Sequence, residues 1–100
     1  MERKIEGVWI PINIWEDRNL DMTEKGILTE IHYLDNGENH CYASNEYLAE
    51  FCQCSESKIT RTISKLIDLG YISLVSFDGR HRVLKSNLDL QAKKKGSQND

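Results

Sequence analysis

Apolar residues recur at helical spacing in three stretches of the chain. The clearest stretch is SESKITRTISKLIDLG, whose apolar side chains follow at i, i+4, i+7 and i+8: Ile59, Ile63, Leu66 and Ile67. Ser55 is suited to cap the N-terminus of this helix and Gly70 to follow its end. The pattern predicts a helix over about residues 55–69.

Two other amphipathic helices are predicted upstream. Residues 23–34 carry apolar side chains at the same spacing, behind an N-cap at Asp21 or Thr23. Ser44 is the expected N-cap of a shorter helix over the stretch SNEYLAEFC. The sequence therefore predicts three helices, of which the last two are separated by only a few residues.

Extended and irregular segments surround these helices. After Gly70, the run YISLVSF is rich in β-branched and aromatic residues and RHRVLK returns, with Asp78-Gly79 predicting a two-residue hairpin turn between them. The segment NHCYAS is long enough for one extended bridge only. Near the N-terminus, Pro11 favours a turn or a short helix over residues 12–18.

The predicted order is helix, bridge, helix, tight turn, longer helix and hairpin. That order defines a fold that is mainly α with a small β-hairpin, the winged helix-turn-helix, with a three-helix core plus a wing. We expect one such domain over residues 1–88. Residues 89–100 contain the run KKK and no apolar periodicity, which predicts a flexible basic tail or linker.

The run YASNEYLAEFCQCSESKITRTISKLIDLGYI resembles the core pattern of winged helix-turn-helix domains. With IPINIWEDRNLDMTEKGILTEIHYL upstream, the chain is most similar, over about residues 8–84, to the domains near the N-terminus of phage and plasmid replication proteins. The resemblance implies sequence-specific binding of double-stranded DNA by a replication initiator, with contacts at Thr60 and Arg61. Transcriptional repressors share the same core, so a repressor is the alternative. Gln53 departs from the glycine that is usual at the turn.

The exposed face of the third helix is the predicted recognition surface. If Ile59 faces inward, a helical advance of 100° per residue turns a basic and hydroxylic face to solvent. The predicted DNA-binding residues on this helix are Ser55, Ser57, Lys58, Thr60, Arg61, Ser64 and Lys65. Such side chains suit base edges and phosphates. The alternative is a solvated helix face without a ligand.

The tip of the hairpin adds a second predicted contact. Its stretch SFDGRHR carries Arg80, His81 and Arg82, which we expect at the minor groove or the adjacent DNA backbone. The alternative is a charged tip that only keeps the hairpin solvated.

Charge is distributed unevenly along the chain. The formal net charge is -3, but residues 1–54 hold 4 Lys/Arg against 11 Asp/Glu, whereas residues 55–100 hold 9 against 5. Such asymmetry between halves is typical of chains with a charged partner. The basic half is therefore expected to face DNA and the acidic half to face away from it.

Several other functions lack support in the sequence. The three cysteines and three histidines do not have the spacing of structural zinc sites, and CQCSESK, residues 52–58, is expected to form the turn with both thiols directed into the core. We expect no metal, no cofactor and no enzyme activity, because no nucleophile with orienting groups can be named. No signal peptide or membrane span is present in the sequence, so we expect a cytoplasmic location and no membrane partner.

The expected partners are double-stranded DNA and replisome proteins such as a helicase or its loader. A homodimer stays open, and a winged helix that binds protein instead of DNA is a further alternative. Trp9, Trp15 and Tyr33 are expected to form or cover the core around the first helix. An exposed Trp9 would instead indicate a dimer surface.

Overall fold

The computed structural model describes residues 7–35, 39–79 and 81–88. Its elements are α1 (Ile12–Trp15), α2 (Met22–Leu34), α3 (Asn45–Cys52), α4 (Glu56–Asp68), β1 (Ile72–Phe77) and β2 (Arg82–Ser86). The helices precede a two-stranded antiparallel hairpin, which confirms the predicted winged helix-turn-helix fold. Arg80 and the predicted tail at residues 89–100 lie outside the described residues.

Polar side chains determine where the helices begin. Asp21 Oδ1 accepts the Glu24 amide at 2.8 Å while Glu24 Oε1 accepts the Asp21 amide at 2.9 Å, which forms a capping box at the start of α2. Ser44 and Ser55 cap α3 and α4, each accepting the amide of the third residue onward at 3.0 Å. The N-caps predicted at Ser44 and Ser55 are confirmed, and Asp21 is the N-cap of α2.

The core forms where the apolar faces of α2, α3 and α4 meet the hairpin. Its completely or almost completely buried members are Ile27, Leu28, Ile31, Leu48, Ile59, Leu66, Ile72 and Leu84. Leu84 also exchanges two backbone hydrogen bonds of 2.8 Å with Cys41, the single extended bridge predicted before α3. Packing on three elements holds α4 with its opposite face toward solvent.

The turn between α3 and α4 contains a residue in a left-handed conformation. Gln53 ends α3 with φ 57° and ψ 50°, a region that glycine enters without the steric penalty of a Cβ atom. For other residues this conformation costs about 1–2 kcal/mol. Gln53, which replaces the usual glycine of the turn, is thus the one non-glycine residue with a positive φ among the described residues.

The wing turn is longer than predicted. Phe77 pairs with Arg82, so four residues separate the strands, and the predicted two-residue turn at Asp78-Gly79 is wrong. The Asp78 amide donates to the His81 carbonyl at 3.2 Å, while the His81 amide donates to the Asp78 side chain at 2.7 Å. Because the His81 amide donates to the Asp78 carboxylate and not to a backbone carbonyl, the pairing of β1 with β2 ends at Phe77 and Arg82. A bulge at Val75 also shifts the register of β1.

The N-terminal segment also differs from expectation. The helix α1 ends at Trp15 rather than near residue 18, because the Asp17 carboxylate accepts the Asn19 amide at 2.8 Å and forms a local turn that competes with the helix. Trp9 is 75% exposed, so the prediction that it covers the core is wrong. Ile14 and Leu20 already fill the core on this side.

The indole and phenol side chains around α1 lie at the surface instead. Trp15 and Tyr33 are both exposed, and the Tyr33 hydroxyl donates to the Trp9 carbonyl at 2.8 Å. The Lys25 ammonium lies 5.6 Å from the Trp15 ring centroid, within the range of a cation–π contact. This arrangement leaves an apolar surface, which we call the tryptophan surface and define by Val8, Trp9, Ile12 and Trp15.

Gln53→Gly should raise the free energy of unfolding by about 0.5–1 kcal/mol. Glycine removes roughly 1–2 kcal/mol of left-handed strain but adds about 0.5–1 kcal/mol of entropy to the unfolded chain. Urea denaturation measures the change. The matched control is Gln53→Ala, which keeps a Cβ atom and should give no gain; equal stabilisation by both variants would contradict the strain at this position.

Candidate nucleic-acid interface

The solvent-facing side of α4 carries hydroxyl groups and a guanidinium between carboxylates. The exposed residues of this helix are Glu56, Ser57, Thr60, Arg61, Ser64 and Asp68. The spacing of Ser57, Arg61 and Ser64 places them on one face, with Thr60 beside them. The structure thus brings four of the predicted DNA-binding residues together on an open surface.

The two lysines of α4 are directed toward the N-terminus of α2. Lys58 Nζ lies 2.9 Å from Asp21 Oδ2 and 3.8 Å from Glu24 Oε2, and Lys65 Nζ lies 2.9 Å from Glu24 Oε1. Both lysines are only partly exposed. Within α4, all of which the structure describes, Arg61 is therefore the exposed basic residue, and both lysines are ion-paired.

The carboxylates of this ion-pair cluster are held in their charged forms. The pKa of Asp21 is lowered by the hydrogen bond from the Glu24 amide and then by Lys58. Burial acts to raise the pKa of Glu24, but hydrogen bonds from Lys65 and the Asp21 amide outweigh it, so this pKa is also lowered. The hydrogen bond to Asp21 raises the pKa of Lys58. The capping box thus joins α2 to α4 electrostatically.

A hydrogen-bonded chain of side chains links the wing to α4. Arg82 Nη1 donates to Asn45 Oδ1 at 2.6 Å, and Arg82 Nη2 donates to the Ala43 carbonyl at 2.8 Å. Asn45 Nδ2 in turn donates to Thr60 Oγ1 at 3.2 Å. This relay of Arg82, Asn45 and Thr60 crosses three elements and connects the two predicted DNA-binding elements.

Arg82 lies at the start of β2 rather than on the turn. It is half-buried, and burial lowers the pKa of its guanidinium. Its Nε atom is buried without a hydrogen-bond partner among the described residues. His81 is exposed on the turn, with Nδ1 3.6 Å from Asp78 Oδ2. Of the predicted wing contacts that the structure describes, Arg82 is therefore half-buried and hydrogen-bonded, whereas His81 is exposed to solvent.

A groove of about 340 Å³ separates the wing from the helix-turn-helix. Its lining includes Tyr42, Asn45, Glu46, Glu56, Phe77 and His81. The exposed aromatic rings of Tyr42 and Phe77, two carboxylates and the Arg82 side chain line this groove, so its surface is both apolar and charged.

Sequence reasoning missed the roles of three side chains at this interface. Asp21 and Glu24 were recognisable as a capping pair, but their partners lie 37 and 41 positions away in sequence. Asn45, the first residue of α3, carried no signal beyond its position after the cap Ser44. Only the fold brings these residues to α4.

The stretch CQCSESK forms the end of α3, the turn and the start of α4. Cys52 and Cys54 are free thiols that are half-buried and contact the core, as the sequence predicted. Burial raises the pKa of the Cys52 thiol to about 11, and nearby Cys54 adds to this effect. Metal binding and nucleophilic attack require a thiolate, which this environment disfavours. Among the described residues, no three His, Cys, Asp or Glu side chains converge as a metal site.

The fold and this surface define a winged helix-turn-helix protein. A family model described as a helix-turn-helix domain matches residues 18–72, which is more than half of the chain, and the protein belongs to that family. The membership supports a DNA-binding domain with DNA as its partner. No curated protein and no solved structure matches the chain. In the part of the chain that the structure describes, every helix is too short or too polar to cross a membrane.

Acid should destabilise the fold through the Asp21 and Glu24 carboxylates. Their pKa values are lowered on folding, so their contribution is present above the ordinary carboxyl range near pH 4 and is lost as the pH falls through the folded values. Urea denaturation of the protein at a series of pH values from about 7 to 3 should show this loss. The double variant Asp21→Asn/Glu24→Gln should lose less stability over the same range.

The control for this experiment is Glu50→Gln, which changes an exposed carboxylate on α3. It should keep the pH dependence of the unaltered protein. An unchanged pH dependence in the double variant would contradict the stabilising role of the capping-box carboxylates.

Arg82→Ala should lower the free energy of unfolding by about 1.5–3 kcal/mol, the range for hydrogen bonds to a charged group. Arg82→Lys should restore little, because an ammonium cannot make the two-pronged contact with Asn45 and the Ala43 carbonyl. Thermal and urea denaturation measure both changes. Lys85→Ala, an exposed basic residue on the same strand, should stay within about 0.5 kcal/mol of the original protein. An Arg82→Ala protein of full stability would contradict a stabilising role for this arginine.

Proposed function

We propose that this domain binds double-stranded DNA sequence-specifically, with α4 in the major groove and the wing on the adjacent backbone or minor groove. The observation that carries the proposal is the open face of α4, where Ser57, Thr60, Arg61 and Ser64 lie together. The wing lies beside this face and is linked to α4 through Asn45, which accepts from Arg82 and donates to Thr60. A guanidinium can bond bidentately to a guanine edge, and hydroxyl groups suit bases or phosphates. The domain acts as a binding module, not as an enzyme.

The charges of the interface are divided between two roles in this proposal. Arg61 is exposed and has no ion pair among the described residues. His81 is exposed on the turn, where it lies beside the Asp78 carboxylate. Lys58 and Lys65 instead stabilise the junction of α2 and α4, and they reach phosphate only by leaving Asp21 and Glu24. Ser55 contributes as the cap that orients the first turn of α4.

We further propose that the DNA lies in a phage or plasmid replication origin and that the protein acts in the cytoplasm. Support comes from the resemblance of residues 8–84 to the N-terminal domains of phage and plasmid replication proteins. A transcriptional repressor is the alternative within DNA binding. The two roles are separable, because binding sites mapped on the genome that encodes the chain would cluster in an origin for an initiator and overlap promoters for a repressor.

A protein contact is the second candidate function. The observation that favours it is the tryptophan surface, since exposed apolar patches with aromatic residues are typical of protein interfaces. Candidate partners are a second copy of the chain and a replisome protein such as a helicase or its loader. Binding to such a partner that is insensitive to salt, with no binding to any duplex, would favour this function over DNA recognition.

Arg61→Ala should weaken binding to the cognate duplex by about 1–3 kcal/mol and relax the preference at one base pair. The site would first be obtained by selecting bound fragments from a random duplex pool. Fluorescence anisotropy then measures affinity, and a second selection with the variant measures preference. The size of the complex in solution gives its stoichiometry.

The matched control is Arg18→Ala, an exposed arginine between α1 and α2, outside α4 and the wing. It should bind the same duplex with unchanged affinity and preference. The proposal fails if no duplex is selected, or if Arg61→Ala retains both the affinity and the selected site.

A further inference from the structure

The hydrogen-bonding polarity of Thr60 is fixed by residues outside α4. An arginine side chain has only donors, so the Asn45 amide atom that faces Arg82 at 2.6 Å must be the oxygen Oδ1. The other amide atom, Nδ2, therefore faces Thr60 Oγ1 at 3.2 Å and donates to it. Arg82 thus determines that the Thr60 hydroxyl is an acceptor on this side.

The single proton of the Thr60 hydroxyl is committed elsewhere. Oγ1 donates it to the Glu56 carbonyl, one helical turn earlier, at 3.1 Å. The hydroxyl therefore has no proton left for acceptors on a base edge, and one of its two lone pairs is occupied by Asn45. Thr60 is nevertheless exposed on the open face of α4. Besides the second lone pair, which can only accept, the side chain presents its Cγ2 methyl group.

We propose that Thr60 recognises the 5-methyl group of a thymine in the major groove through its own methyl group. This inference rests on the proposed function and specifies one contact within it. The 5-methyl group is the apolar feature of the major-groove edge, and a threonine methyl is one of the groups that suit it. Arg82 and Asn45 act as positioning residues, because they orient the Thr60 side chain without touching the base.

The size of the expected effect follows from the burial of one methyl group. Such burial contributes a factor of about four in affinity. The probe is the duplex selected from a random pool, remade as a series in which each thymine in turn is replaced by deoxyuridine. This change removes only the 5-methyl group and leaves the protein unaltered. One replacement should weaken binding about fourfold, and the others should have little effect.

Two variants identify Thr60 as the residue that senses this methyl group. Thr60→Val keeps a methyl group and removes the hydroxyl, so it should retain the preference for thymine over deoxyuridine at that position. Thr60→Ser keeps the hydroxyl and removes the methyl, so it should bind the two duplexes equally. Thermal denaturation confirms that each variant is folded before its affinities are compared.

The outcomes separate this inference from the proposed function. A protein that selects a duplex but shows no thymine preference, or shows no loss with any deoxyuridine replacement, overturns the inference and leaves DNA binding intact. Loss of the preference in Thr60→Val, or its persistence in Thr60→Ser, also overturns it. Failure to select any duplex overturns the proposed function, and the inference falls with it.

Discussion

Burial of one face of α4 determines which of its side chains reach a ligand. Ile59 and Leu66 are completely buried, and Ile63 nearly so, against α2, α3 and the hairpin. Because a helix advances 100° per residue, this packing fixes the direction of every other α4 side chain. Rotating α4 to present another face would expose these apolar groups, and each fully buried aliphatic side chain contributes roughly 1.5–3 kcal/mol. This packing therefore fixes which residues form the open face, among them Ser57, Thr60, Arg61 and Ser64.

The charge that reaches this face is smaller than the sequence suggests. Five of the nine Lys/Arg residues in positions 55–100 lie in the described part of the chain. Of these five, Lys58 and Lys65 pair with carboxylates, and Arg82 is half-buried against Asn45. Each phosphate neutralised steepens the dependence of log affinity on log salt by about 0.9, so paired lysines add little unless they release their partners. On such a surface, direct hydrogen bonds and van der Waals contacts contribute more to binding than long-range electrostatic attraction does.

Local chemistry explains what the sequence could predict. The caps Ser44 and Ser55 and the position of Gly70 depend on neighbouring residues, and the phase of α4 follows from its own apolar spacing. The spacing of apolar residues in α4 predicts that Lys58 and Lys65 face solvent. Their ion-pair partners lie in a distant segment and depend on how the helices pack, so the spacing could not predict these ion pairs. The apolar character of Trp9 favours the core, yet the structure buries Ile14 and Leu20 from this part of the chain and leaves Trp9 exposed. In both cases the outcome depends on contacts between residues that are far apart in sequence, which local patterns do not predict.

The relay from Arg82 to Thr60 changes how the wing and α4 contribute to recognition. Arg82 at the start of β2 donates to Asn45 of α3 at 2.6 Å and to Ala43, which precedes α3, at 2.8 Å. Asn45 donates to Thr60 of α4 at 3.2 Å, and the Cys41–Leu84 bridge supports the same strand β2. The turn after Phe77 is held mainly by contacts between Asp78 and His81. The start of β2 is thus held in place in the absence of a ligand, so ligand binding does not have to order this part of the wing. Ordering side chains and loops on binding reduces affinity, so a base of the wing that is already held in place lowers this cost for any ligand that contacts it.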